Sequence, residues 1–155
     1  MAAALWVLFA FLSPVRGLFR GGRGWTAGMT SSHTPPTGGV LDAAISNAVV
    51  GLIRERVGRG PTKARTIHGG KVVLCVLEET MTKGERTLVS AGEDDFVLHM
   101  RGALQHAMRQ ELTAAVEGLT RHKVVAFMSA NHVAPDLAAE LFVLDEPLGE
   151  REDAE

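Results

Sequence analysis

The sequence predicts an α+β fold in which helices pack on one four-stranded antiparallel sheet. Segments with helical spacing and segments with strand-like apolar patterns follow one another in the order α-β-β-α-α-β-β. Each pair of strands is joined by residues suited to a turn, which indicates two hairpins. With 155 residues, 46% of them hydrophobic, the chain can bury one core without disulfides. These observations predict a two-layer arrangement of helices on a sheet.

The first three elements follow from spacing and glycine positions. Apolar residues recur every three or four positions from Val40 onwards, and Gly58 ends this first helix. Two strands, over 64–67 and 71–77, flank His68-Gly69-Gly70, which supplies the glycines of a tight turn. The second strand contains VVLCVL, which is apolar on both faces. We therefore expect a central strand, covered by helices on one side and by something else, such as a partner subunit, on the other.

Capping signals predict the two remaining helices. Thr82 and Glu85 have the spacing of a capping box, which opens a short helix. Acidic residues over 93–95 suit the N-terminal dipole of a long helix that reaches about Thr120. The apolar stripe assigned to this long helix includes Phe96, Met100, Leu104, Met108 and Leu112.

The last two strands are predicted over 124–128 and 137–144, which are rich in apolar and β-branched residues. They are joined by the segment SANHVAPD, in which Asn131 and Pro135 favour a turn.

The N-terminal 39 residues differ from the rest of the chain. The apolar run Ala2–Leu12 is too short to span a bilayer, and its basic residues follow it rather than precede it, unlike in a secretory signal. Residues 17–39 are rich in Gly, Ser, Thr and Pro, a composition typical of disorder. Two interpretations stay open: Met29 is the true initiator, or the run is a short tail that associates with a membrane. We therefore expect residues 1–39 to be a disordered or mis-annotated extension.

Charge and cysteine content exclude several classes of protein. The folded part, expected over 40–146, is close to neutral, and it has few aromatic residues, so nucleic-acid binding is not expected. The single cysteine, Cys75, excludes an internal disulfide and a four-cysteine zinc module. Residues 147–155 are expected to form an acidic, disordered tail.

A basic segment, RER followed by GRGPTKAR, is the first candidate site. Its residues Arg59, Lys63 and Arg65 could bind an anion or an acidic partner surface. The alternative is a solvated helix end whose bases complement the C-terminal dipole. The segment lacks the Gly-Lys-Ser/Thr ending of a P-loop, so nucleotide hydrolysis is not indicated.

The SANHVAPD segment is the second candidate. Asn131, His132 and Asp136 form a polar cluster suited to acid–base work or to a small ligand, although a turn alone also uses Asn, Asp and Pro. No residue is assigned a catalytic role. The histidines do not have the spacing of metal ligands, so neither a metal nor a cofactor is expected.

Glu111 is predicted to lie on the apolar side of the long helix, where a carboxylate needs a partner. One interpretation pairs it with an Arg of the basic segment, with Arg65 as the candidate. The other places it in a ligand cavity with a raised pKa.

Three strings occur in order over about 41–146: GRGPTKART, KVVLCVLEETMTKGERTLV and HKVVAFMSANHVAPDLAAELFVLDEP. On these strings the chain resembles the MpsC-like family, small bacterial proteins associated with a sodium-translocating, membrane-potential-generating system. The resemblance implies an accessory or regulatory protein that works with an ion or inorganic-carbon transport system at the membrane, and it assigns no catalytic residues.

The leading hypothesis is thus a non-catalytic, homo-oligomeric module, whose partners would be further copies and a membrane transport subunit. It would be cytoplasmic, with peripheral attachment at the inner face of the membrane as a variant. The alternative is a small enzyme or ligand-binding protein that acts on a small anionic substrate through the GRGPTKAR and SANHVAPD segments.

Overall fold

The computed structural model describes residues 37–149 and has the element order that the sequence predicts. Three helices and a four-stranded antiparallel sheet confirm the α+β fold. The elements are α1 (Gly38–Val57), β1 (Lys63–Gly69), β2 (Val72–Glu78), α2 (Lys83–Ser90), α3 (Asp94–Thr120), β3 (Val124–His132) and β4 (Leu137–Leu144).

The strands lie in the order β1-β2-β4-β3, and every neighbouring pair is antiparallel. The strand that contains VVLCVL, β2, is therefore central, as its two apolar faces predicted. Cys75 on β2 lies opposite Thr66 on β1 and opposite Glu140 on β4, and Glu140 in turn lies opposite Ser129 on β3. One row across the sheet thus carries four polar or weakly polar side chains on the same face.

Helices α1 and α3 pack on that face and form the core with it. Cys75 is fully buried there, as a small core residue. Leu148 also belongs to the core, and its backbone N–H donates to the Gly70 carbonyl over 2.9 Å. The domain therefore continues beyond the boundary at 146 that the sequence predicts, because an apolar side chain follows Pro147 and can reach the turn between β1 and β2.

Local signals place the helix ends well. Gly58 adopts φ 80° after α1, the left-handed conformation that glycine favours, and its N–H donates to the Arg54 carbonyl. Thr82 and Glu85 form both hydrogen bonds of the predicted capping box at the start of α2.

Two features differ from the prediction. Strand β3 continues through His132, so only about half of SANHVAPD is a turn, because backbone pairing with β4 holds Ser129 to His132 in extended form. The buried stripe of α3 is also rotated: Val97 is buried and Phe96 is 56% exposed. The packing of α3 against α1 and β3 selects this stripe, which the apolar spacing alone does not determine.

The apolar run Ala2–Leu12, Met29 and residues 150–155 lie outside the described residues. Within residues 37–149, none of the helices combines the length and the apolar composition needed to cross a bilayer.

Candidate functional site

The sheet face that points away from α1 and α3, called the open face here, carries mostly apolar side chains. Strand alternation puts one residue in two on this face, and its central members are half-buried or exposed. Its apolar residues are Ile67, Val72, Leu74, Val76, Met128, Ala130, Leu137, Ala139, Leu141 and Val143.

Two depressions at the open face collect four of the predicted site residues. One, of about 490 Å³, is lined by Lys63 and Arg65 together with Glu78. The other, of about 460 Å³, is lined by Asn131 and His132, and Val76 lines both depressions. The GRGPTKAR and SANHVAPD segments therefore meet the same sheet face, but they line separate depressions.

Charge in the first depression is partly neutralised. Lys63 Nζ lies 3.1 Å from Glu78 Oε2, and this hydrogen bond, helped by the charges of Glu78 and Glu79, raises the pKa of Lys63. Both side chains of the pair are exposed. His132 Nδ1 lies 2.9 Å from the Pro135 carbonyl oxygen, which orients the ring against its own turn.

Arg59 and Asp136 instead brace the segment between β2 and α2. The Arg59 guanidinium donates to the Met81 carbonyl. The Asp136 carboxylate accepts from the Thr80 hydroxyl at 2.6 Å and from the Met81 N–H at 2.9 Å. Burial alone would raise the pKa of Asp136, but these hydrogen bonds and the charge of Arg101 lower it overall. Both side chains therefore connect their own segments to the stretch between β2 and α2.

Arg101 is the centre of a buried ionic cluster that the sequence analysis missed. Its side chain is 12% exposed; it donates to Thr80 Oγ1 over 2.5 Å and lies 3.5 Å from Glu85 and 3.8 Å from Asp136. Arg101 sits four residues before Gln105, which also faces inwards on α3. Two polar residues four positions apart on the buried side of a helix are the sequence signal that could have indicated this cluster.

Glu140 is the most enclosed charged group of the described residues, with no exposed surface. Gln105 Nε2 donates to Glu140 Oε1 over 2.9 Å and to Asn131 Oδ1 over 3.1 Å, so the predicted site residue Asn131 supports this amide. Glu140 Oε2 lies next to the Ser129 hydroxyl, but neither atom makes a hydrogen bond of good geometry. Burial raises the pKa of Glu140 to about 7, although Ser129, Gln105 and the more distant Arg101 offset part of the effect.

A cavity of about 30 Å³ lies between the ionic cluster of Arg101 and the buried carboxylate of Glu140. Its polar lining comes from both, and the rest of its wall is apolar; the polar lining residues are Thr80, Glu85, Arg101, Gln105 and Glu140. A water molecule needs at least about 10–15 Å³ measured in this way, so the cavity has room for one or two waters and not for an organic substrate. Within residues 37–149, no three or more His, Cys, Asp or Glu side chains are grouped as a metal site requires.

Comparison with protein families identifies the chain. A family model described as "Na+-translocating membrane potential-generating system (MpsC)" matches residues 37–146. The chain belongs to the MpsC family. The match runs from the start of α1 to just beyond β4, and it confirms the resemblance seen in the sequence. Comparisons with curated proteins and with solved structures found no similar protein.

In this MpsC-family fold, Glu111 pairs with Arg56 and not with Arg65, so the predicted partner was wrong. Arg56 Nε donates to Glu111 Oε2 over 2.9 Å, and Arg56 Nη2 contacts Oε1. The partner does come from the basic segment, but from its helical part in α1, which packs against α3. Arg65 lies on the open face of β1, on the other side of the sheet. Glu111 is also 39% exposed, so it is not a buried carboxylate.

We expect the Arg56–Glu111 pair to contribute little to the free energy of unfolding, because both side chains are well exposed. A double-mutant cycle with Arg56→Gln and Glu111→Gln, measured by urea denaturation, gives the coupling energy. The same cycle with Arg65→Gln and Glu111→Gln should give none. Coupling of Glu111 to Arg65 would contradict the pairing seen here.

A buried pair of one histidine and one aspartate holds the start of α1 to the sheet. His68 Nδ1 lies 2.6 Å from Asp42 Oδ1, and the two side chains are 3% and 9% exposed. His68 was assigned to the hairpin turn, but it belongs to β1, where its side chain points to the covered face. This MpsC-family chain therefore uses His68 as a structural residue between α1 and β1.

Proposed function

We propose that this protein is a non-catalytic accessory or regulatory module of a Na⁺-translocating, membrane-potential-generating system. One observation carries the proposal: the family match covers every helix and strand of the described fold. The family's association with such a system therefore concerns this fold as a whole and not an appended segment.

The open face supports a binding role. It offers apolar surface to another protein, and Lys63 and Arg65 stand at its β1 edge, where they can attract an acidic surface of a transport subunit. Charged residues at the edge of an interface mainly steer association and select the partner. In this proposal the module is cytoplasmic and acts at the inner face of the membrane through that subunit.

The alternative, an enzyme or binding protein for a small anion, would use the depression that Lys63 and Arg65 line. Glu78 lies in the same depression and already neutralises Lys63, which weakens the site for a small anion. An acidic protein surface can contact Arg65 and the edge of β1 without displacing Glu78. The module is therefore the better-supported function.

The double variant Lys63→Gln with Arg65→Gln tests the proposal in a deletion strain. We expect it to reduce the sodium-dependent membrane potential, read with a potential-sensitive dye, to near the level of the deletion, because the charges that attract the partner are gone. Its melting temperature should hardly change, since exposed ion pairs contribute under about 1 kcal/mol.

The matched control is Lys83→Gln with Arg109→Gln, which removes two exposed charges from α2 and α3. This control should complement the deletion fully. Full complementation by the Lys63/Arg65 variant would show that the β1 edge does not bind the partner. Failure of the wild-type gene to affect the potential at all would contradict the proposed function itself.

A further inference from the structure

The open face has the size of a small interface. Its strands have 7 to 9 residues. At about 3.3 Å per residue and about 4.8 Å between strands, four such strands give a face of roughly 25 by 19 Å, or about 475 Å² in projection. Two such faces bring together about 950 Å² in projection, and the uneven surface of the side chains adds to this area; specific interfaces begin at roughly 1,200 Å².

Within the described residues, the helices leave this face uncovered. Met128 is 51% exposed and Val72 42%, although both belong to the sheet. The central strands β2 and β4 add half-buried Leu74, Val76 and Leu141 between them. A contiguous apolar surface over two central strands marks a surface that another molecule covers.

The open face has both a projecting side chain and a recess. Met128 projects from β3, whereas Ala130 and Ala139, one step further along the β3–β4 pair, form part of the floor of the 460 Å³ depression. A two-fold interface requires that one surface patch fit its own copy. Met128 of one copy can enter the alanine-floored depression of the other, and the second Met128 can do the same in return, since methionine adapts readily to irregular gaps.

The charge distribution favours a second copy over a lipid surface. Binding to anionic lipid usually uses a cluster of about four to eight Lys or Arg residues. The open face has only Lys63 and Arg65, at the β1 edge, and Lys63 is paired with Glu78. Two sheets stacked about 10 Å apart would leave these charges at the rim, in water.

We propose that two copies of this chain associate through their open faces, with the two sheets stacked as a β-sandwich. The interface consists of the apolar residues of the open face on all four strands, and Met128 of each copy enters the alanine-floored depression of the other. This association goes beyond the accessory role, and it leaves the β1 edge accessible for a transport subunit.

Light scattering after size-exclusion chromatography of the full chain tests the proposal. At micromolar concentration we expect a mass of about twice the 16.6 kDa of one chain. Met128→Glu should give the mass of one chain, because it would bury two carboxylates in the apolar contact and weaken association at least 100-fold. Phe96→Glu is the matched control: it replaces an equally exposed apolar residue, 56% exposed on α3, and should leave the dimer intact.

Circular dichroism shows whether Met128→Glu folds; if it does not, Ala139→Arg fills the depression and provides the same test. A wild-type mass of one chain would overturn the proposal, and so would a Met128→Glu variant that folds and keeps the dimer mass. A wild-type monomer that sediments with anionic vesicles, together with a Met128→Glu variant that does not, would assign the open face to lipid instead. Loss of the dimer with normal complementation would refute a functional need for it and leave the accessory role in place.

Discussion

Replacing Glu140 by Gln is expected to stabilise the domain by about 3 kcal/mol at pH 8 and by under about 1 kcal/mol at pH 5. Burial raises the pKa of Glu140 from 4.5 to about 7 in the folded state. Between these two values the unfolded chain has lost the proton and the folded chain still binds it, so the free energy of unfolding falls as the pH rises. The span of about 2.5 pH units, at about 1.36 kcal/mol per unit, gives about 3 kcal/mol.

Gln suits the site because it is nearly the shape of the protonated carboxyl group. Its carbonyl can accept from Gln105 Nε2, as Oε1 does now, and its amide can donate to the Ser129 hydroxyl, which makes no hydrogen bond of good geometry in the wild-type structure. The neighbouring Cys75 does not add a charge in this range, because burial raises the pKa of its thiol. The free energy of unfolding of the wild-type protein should therefore fall from about pH 4.5 to about pH 7. The fall that is due to Glu140 should be absent from the variant.

Urea denaturation of both proteins at equal concentration, from pH 5 to pH 8, measures the effect. Equal concentration matters because association stabilises the folded state. Glu78→Gln serves as the control, since this carboxylate is on the surface and its pair with Lys63 contributes under about 1 kcal/mol. If Glu140→Gln and the wild type lose stability in parallel from pH 5 to pH 8, Glu140 does not titrate in this range.

Features set by a few neighbouring residues were predicted correctly from the sequence. The left-handed Gly58 and the capping box of Thr82 and Glu85 depend on the backbone within one turn, so they mark helix ends wherever the helix packs. The apolar runs predicted the strands in the same way, and the double apolar face of VVLCVL placed β2 at the centre of the sheet.

Features set by contacts between distant elements were predicted less well. The buried stripe of α3 depends on how the helix lies against α1 and β3, and a rotation of one residue exposes Phe96 and buries Val97. The partner of Glu111 depends on the same packing, which brings Arg56 close and keeps Arg65 on the other side of the sheet.

The buried carboxylate had a signal that strand alternation could have revealed. In LAAELFVL, Glu140 shares a face with Ala138 and Phe142, and that face is the covered one. The apolar spacing of the long helix predicted the buried carboxylate at Glu111. The alternation of faces along β4 indicates Glu140 instead. Glu140 and Arg101 are therefore both polar residues at inward positions. Such positions can be recognised once the buried face of each strand and helix has been assigned.

Arg101→Met is expected to lower the free energy of unfolding by about 3 kcal/mol, because it leaves two poorly exposed carboxylates without their cation. The side chains of Glu85 and Asp136 are 6% and 16% exposed. Removing one member of a buried ion pair costs about 3–5 kcal/mol. The loss should lie near the lower value, because Glu85 keeps its bond from the Thr82 N–H and Asp136 keeps those from Thr80 and Met81. Methionine retains most of the aliphatic packing of the arginine stem.

The change is measured by urea denaturation at pH 7, and Lys123→Met is the control. Lys123 pairs with Glu117 over 3.4 Å, but its side chain is 77% exposed, so its loss should cost under about 1 kcal/mol. Adding Glu85→Gln to Arg101→Met should restore part of the lost stability, since Gln removes one unpaired charge and still completes the capping box. Equal losses for Arg101→Met and Lys123→Met would show that the cluster is hydrated like a surface pair. A loss restricted to Arg101→Met, recovered in part by Glu85→Gln, would show that Arg101 holds α2 and the β3–β4 turn to α3 by charge.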